Sequence, residues 1–107
     1  MAATRPEVEV IHAAGVAVVV LRGEFDAAAA AELREAFSAA RAADRAIVDL
    51  SKVTFIDSTI IGVLIAAQRA ADDARSTLTF LRSDPVVMRM LQISGADQLL
   101  SFAAGDD

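Results

Sequence analysis

Three adjacent residues carry most of the chemical potential of this 107-residue chain: Asp57, Ser58 and Thr59. They stand between an apolar run, Ile47 to Leu50, and a long helix-forming stretch that begins at Ser58. A helix start presents unpaired backbone N–H groups and the positive end of the helix dipole. A serine hydroxyl in that place can cap the helix or carry a phosphate. A second junction of the same kind follows Val16 to Leu21, where Gly23-Glu24-Phe25-Asp26 leads into an alanine-rich helix with Asp26 as its cap. In a parallel α/β sheet such junctions share one edge, where ligands tend to bind. Glu24, Asp26, Asp57 and Ser58 are therefore expected to converge. Taken singly, each also reads as a helix cap or a solvated loop residue.

Other chemistries lack their residues. Ser58 has no GxSxG surroundings, and a Ser-His-Asp triad would depend on His12, the one histidine, far away in a strand or turn. The phosphate-cradling GxxxxGK(S/T) and GxGxxG loops are absent. Asp26 and Asp57 could pair as two carboxylates, but no aromatic sugar platform accompanies them. Without cysteine there is no disulfide, thiolate metal site or cysteine nucleophile. The expectation is a protein that is not an enzyme and that holds no cofactor and no metal.

Charge and composition narrow the partner. A net charge of −5 without a Lys/Arg cluster argues against nucleic acid and anionic membranes. The absence of Trp and Tyr argues against stacking on bases or sugars. A basic or neutral protein surface is the easier partner. Met1 to Glu9 lacks an apolar signal segment, and charges interrupt every apolar stretch before it could span a bilayer. A soluble, cytoplasmic protein without membrane insertion is expected.

The elements that position these residues follow from pattern. Val8–Ile11 and Val16–Leu21 predict two strands around a turn at Ala13-Ala14-Gly15, and Val16–Leu21 is apolar enough to be central. Ala27–Ala43 predicts a helix with Leu33, Phe37 and Ala40 on one face. A strand at Arg45–Leu50, a loop, a helix at Ser58–Ala74 and a strand at Ser76–Leu81 follow. Asp84-Pro85 starts a third helix, with an apolar face of Val86, Met90 and Leu91, and Gly95 stops it. Leu99–Phe102 is a short last strand or turn. The order ββαβαβα(β) predicts an α/β fold: one compact domain with a mixed four- to five-stranded sheet, mostly parallel from its second strand, and about three to four helices. One domain is expected over 1–107, with its core at about 8–102 and loose ends at 1–6 and 103–107.

On a wheel of about 100° per residue the helix from Ser58 separates into two faces. Ile60, Val63, Leu64, Ala67, Ala70, Ala71 and Ala74 form the core stripe, and Gln68, Arg69, Asp72 and Asp73 face water. Ile61 and Ile65 break the pattern, falling on the polar side beside Ser58, Gly62 and Arg69. They read either as scattered surface hydrophobes or as a partner-binding strip headed by the serine.

The segment from Asp49 to Leu64, DLSKVTFIDSTIIGVL, resembles the signature of the STAS domain family, D-L-S-x-V-x-F-I-D-S-S/T-G-L-G-V-L, most closely that of single-domain anti-sigma factor antagonists of bacteria. Leu21-Arg22-Gly23-Glu24-Phe25-Asp26 is similar to the family's L-x-G-E-L-D, and Pro85 to Leu100 to its C-terminal pattern. The resemblance covers nearly the whole chain. It implies that Ser58 is phosphorylated by an anti-sigma factor that is also a serine kinase, with Thr59 as a second acceptor. The unphosphorylated protein would bind that partner and release sigma factor; the phosphorylated protein would let go, and a phosphatase would reset it. The implied contact surface comprises Glu24 to Asp26 and Asp57 to Gly62, which meets the wheel's strip of Ser58, Ile61 and Ile65. The chain departs from the pattern at Ile60, where the family has glycine, and at Ile61, where it has leucine. Two alternatives stand beside this one: a non-switched scaffold subunit of a stress-sensing or lipid-transport complex, with Ser58 only a helix cap, and a small-ligand module using the helix start as an anion site.

Overall fold

The computed structural model describes residues 5–104. Strand β1, Glu7–Ala13, turns through Ala14 and Gly15 into β2, Val16–Phe25. Both turn residues hold positive φ, 52° and 80°, as a two-residue hairpin turn that follows strand twist requires. A single 3-10 turn at Ala27–Ala29 leads into α1, Ala30–Ala40. Strand β3, Arg45–Ile56, feeds α2, Ser58–Asp73; β4, Thr77–Leu81, feeds α3, Pro85–Ser94. The four strands lie in chain order, β1 antiparallel to β2 and the remaining pairs parallel. The α/β layering and mixed sheet expected from the pattern are what the chain adopts.

The core lies between the helices and one face of the sheet. Alternate positions of β2 (Ala17, Val19, Leu21), β3 (Ala46, Val48, Leu50) and β4 (Leu78, Phe80) are buried there, against Leu33 and Phe37 of α1, Ile60 and Leu64 of α2, and Val87 and Leu91 of α3.

Several boundaries differ from those predicted. Strand β2 does not end at Leu21; it continues through Gly23, whose φ of 97° lets the chain bulge and stay paired. Strand β3 likewise takes in Ser51 to Ile56, read from sequence as a loop, because the extended β2 supplies ladder partners as far as Phe25↔Ile56. Helix α1 stops at Ala40, short of Ala43. On α3 the buried residues are Val87, Met88 and Leu91, whereas Val86, expected on the apolar face, is exposed. That helix is apolar on both sides, so spacing alone does not choose its inner face. The last strand reduces to one parallel bridge, Phe80↔Phe102. The loose ends expected at 1–6 and 103–107 fall mostly outside the described residues; within them, the Ala103 N–H donates to the Phe80 carbonyl at 3.0 Å.

Candidate functional site

Strands β2 and β3 run parallel and end side by side, so the residues after Phe25 and Ile56 meet at one edge of the sheet. Those residues are Asp26 and Asp57. Asp57 sits in extended backbone, φ −109°, ψ −179°, as the N-cap of α2. Its Oδ1 accepts from the Ile60 N–H at 3.0 Å, and its backbone carbonyl accepts from the Ile61 N–H at 3.0 Å. Its second oxygen, Oδ2, accepts from the Ala27 N–H at 3.0 Å. One carboxylate thus caps α2 and ties it to the segment that leads into α1. Asp26 caps that segment itself, Oδ1 accepting from the Ala28 N–H at 3.0 Å.

Ser58 is therefore not the cap. It occupies the first position inside α2, exposed, and its hydroxyl takes no part in the side-chain hydrogen bonds found among the described residues. Thr59 beside it is also exposed. Ile60, the departure from the family glycine, is buried in the core at 1% exposure, so its branched side chain does not crowd Ser58 from the solvent side.

The neighbouring residues divide into two kinds. Glu24 is half-buried, directly across the β2–β3 ladder from Phe55. Together with Asp26 and Asp57 it makes this edge acidic, and the only ion pair among the described residues lies elsewhere, Arg22 to Glu9 at 3.4 Å. No cluster of three or more His, Cys, Asp or Glu among the described residues is placed to hold a metal ion. Ile61 and Ile65 are half-buried and pack on the core, so only part of each remains on the surface. Gly62, one turn beyond Ser58, is exposed, and a Cβ built there would meet nothing within 4 Å.

The wheel misplaced two residues. Ala74, expected in the core stripe, is exposed where α2 ends. Gln68, expected to face water, is 3% exposed. Its Oε1 accepts from the Ser101 N–H at 3.0 Å and its Nε2 donates to Asp72 Oδ1 at 3.1 Å. A buried amide with both ends satisfied is stable inside a protein, and here it fastens the C-terminal segment to α2. Gln68 and Ile61 lie about 20° apart on the helix wheel, so the inner face of α2 is turned toward them both. Sequence reasoning also passed over Phe55, which is 37% exposed beside Glu24. The signal was present: it precedes buried Ile56, and neighbours in a strand face opposite ways.

A family model described as the Mlab STAS domain matches residues 9–101. A STAS-domain containing protein of Pseudomonas aeruginosa (strain UCBPP-PA14) is 28% identical over 86 residues, 79% of this chain and 85% of the relative. Among solved structures, an anti-sigma factor antagonist from Mycobacterium paratuberculosis superposes with a TM-score of 0.82 at 24% identity, over 94% of this chain and 87% of its own. The antagonist SpoIIAA in its unphosphorylated form gives 0.76 at 22% identity, over 92% and 89%. The phosphorylated Bacillus form gives 0.68 at 22% identity, over 94% and 92%. Likeness at these identities establishes a shared fold.

Proposed function

This chain belongs to the STAS domain family, and from that premise we propose that it is an anti-sigma factor antagonist switched by phosphorylation of Ser58. Unphosphorylated, it binds an anti-sigma factor with serine kinase activity and frees the sigma factor. The kinase then transfers the γ-phosphoryl group of ATP to Ser58 Oγ, releasing ADP and the hydroxyl proton, and the contact ends. A phosphatase restores the serine. The observation that carries this reading is an exposed hydroxyl at a helix start with no structural duty, because Asp57 has taken the cap. The SpoIIAA structures lend support, since that antagonist keeps this fold in its unphosphorylated and phosphorylated forms.

The energetics favour a local switch. A phosphoserine carries a charge of about −1.5 to −2 near neutrality. The helix dipole and free N–H groups of α2 stabilise it, while Asp57, Asp26 and Glu24 oppose it. The domain itself tolerates the group. A partner that seats on Ile61, Ile65 and Gly62 does not, because a dianion is costly to strip of water against an apolar surface. Phosphopeptide mapping of the protein from its own cells, across growth and stress conditions, is expected to find phosphate on Ser58. Phosphate confined to Thr59, or found under no condition, overturns the reading.

A second reading keeps the fold and drops the switch: a scaffold subunit of a stress-sensing or lipid-transport complex. It rests on the same family membership, since the matching STAS model carries no switch in its description. It predicts a stable complex in which Ser58→Glu leaves assembly unchanged.

A further inference from the structure

The helices bury one face of the sheet; the other face has its own pattern. The strand register sets Ile11, Val18, Ile47 and Thr79 in one row across all four strands. The row on one side is Ala13, Val16, Arg45 and Thr77; the row on the other is Glu9, Val20, Asp49 and Leu81. Val20 apart, these side chains keep access to solvent, and Ile11 is 43% exposed. A groove of about 280 Å³ opens on this face, lined chiefly by Val16, Arg45, Ile47, Thr77, Thr79 and Leu81. Parallel strands such as β2, β3 and β4 are ordinarily covered on both faces.

We propose that this face is the contact between two copies of the chain, related by a two-fold axis that lies between the sheets along the central row. Under that symmetry each strand crosses its own counterpart in the opposite direction. Ile47 then meets Ile47 of the second copy, and Val18 meets Val18. The outer rows exchange: Arg45 faces Asp49 of the second copy, Asp49 faces Arg45, and Leu81 faces Thr77 at the groove. Sheets packed face to face stand about 10 Å apart, a gap that an arginine and an aspartate reaching from opposite sides can close. The charges select a second copy over an unrelated protein. Arg45 is the lone charge of its row, and the symmetry delivers an acid to it twice. Glu9, the other acid of its row, is already held by Arg22 at 3.4 Å. Asp49 is fixed in place, since its Oδ1 accepts from the Ser51 N–H at 2.9 Å and leaves Oδ2 for the arginine. This contact rests on the sheet alone and is independent of any role for Ser58.

Sedimentation equilibrium of the whole protein, from about 1 to about 500 µM, tests it. The native chain is expected to pass from monomer to dimer within that range, and Ile47→Glu to remain monomeric with a native circular dichroism spectrum. Arg45→Asp and Asp49→Arg should each weaken self-association about tenfold or more, by placing like charges together twice. An equimolar mixture of these two variants should dimerise again, because each supplies the charge the other lacks; the double variant should do the same. Arg45 is exposed, so its reversal reads the contact even if Ile47→Glu disturbs the sheet. A chain monomeric throughout the range, or a mixture that associates no better than its components, overturns the proposal.

Discussion

Helices α2 and α3 are both capped by an aspartate that follows a parallel strand, Asp57 directly after β3 and Asp84 three residues after β4. Asp57 Oδ1 accepts from the Ile60 N–H at 3.0 Å, and Asp84 Oδ1 accepts from the Val87 N–H at 2.9 Å. Each aspartate also offers its carbonyl to the next turn, to Ile61 and to Met88, at 3.0 Å. The two starts part at the first helical position. In α3 it is Pro85, whose fixed φ and missing N–H suit the first turn of a helix. In α2 it is Ser58, which contributes neither pre-organisation nor a cap. With the same capping device in place, a proline there would serve the fold as well or better. The serine is thus the residue that the capping device does not account for, and the proposed modification of Ser58 rests on this contrast.

The largest effect should come from giving Ser58 a charge. Ser58→Glu is expected to keep the native circular dichroism spectrum and melting temperature while weakening binding to the anti-sigma factor about a hundredfold, roughly 2.7 kcal/mol. Ser58→Ala should keep both fold and binding. The parallel change at α3, Pro85→Glu, should leave binding untouched. Calorimetric titration of the partner into each variant checks all three, and equal losses at both helix starts would erase the contrast.

The two caps should differ in stability by a smaller amount. Asp84→Ala removes one capping bond, worth about 1 kcal/mol. Asp57→Ala removes a capping bond and the tether to Ala27, so about 2 kcal/mol is expected, the second bond being discounted because it is open to water. Urea unfolding of both variants measures the difference. Equal losses would mean that the tether adds nothing and that the two helix starts are held independently.

Much of this was legible in the sequence, and what was not has physical causes. The order of elements, the caps at Asp26 and Asp84, and the meeting of Asp26 with Asp57 follow from local pattern and from parallel topology; that Asp57 rather than Ser58 caps α2 does not. The true ends of β2 and β3 do not, because Gly23 and the polar run from Ser51 read as chain breakers, whereas the two strands rescue each other by pairing through a bulge. Gln68 is invisible to any helix wheel, since its partner Ser101 lies 33 residues away. The half-burial of Ile61 and Ile65 has the same origin: once Gln68 turns inward, these neighbours turn with it. The surface left for a partner is consequently narrower than the wheel implied. It centres on Ser58, Thr59 and Gly62, with only one side of each isoleucine.

Gly62 gives the finest comparison within α2. It stands four residues after Ser58 and so on the same face of the helix. Glycine inside a helix is less favourable than alanine by about 0.8–1 kcal/mol. Nothing in the fold demands it, for a Cβ there would meet no atom within 4 Å and its backbone is helical. Gly62→Ala should therefore raise the stability of the free protein by about 1 kcal/mol in urea unfolding. If the anti-sigma factor lies against bare backbone on its way to Ser58, the same methyl should weaken binding, in a variant more stable than the parent. That opposition separates a surface shaped for a partner from one merely left imperfect. A gain in stability with unchanged binding would move the contact off this face, toward Glu24 and Phe55 across the sheet edge.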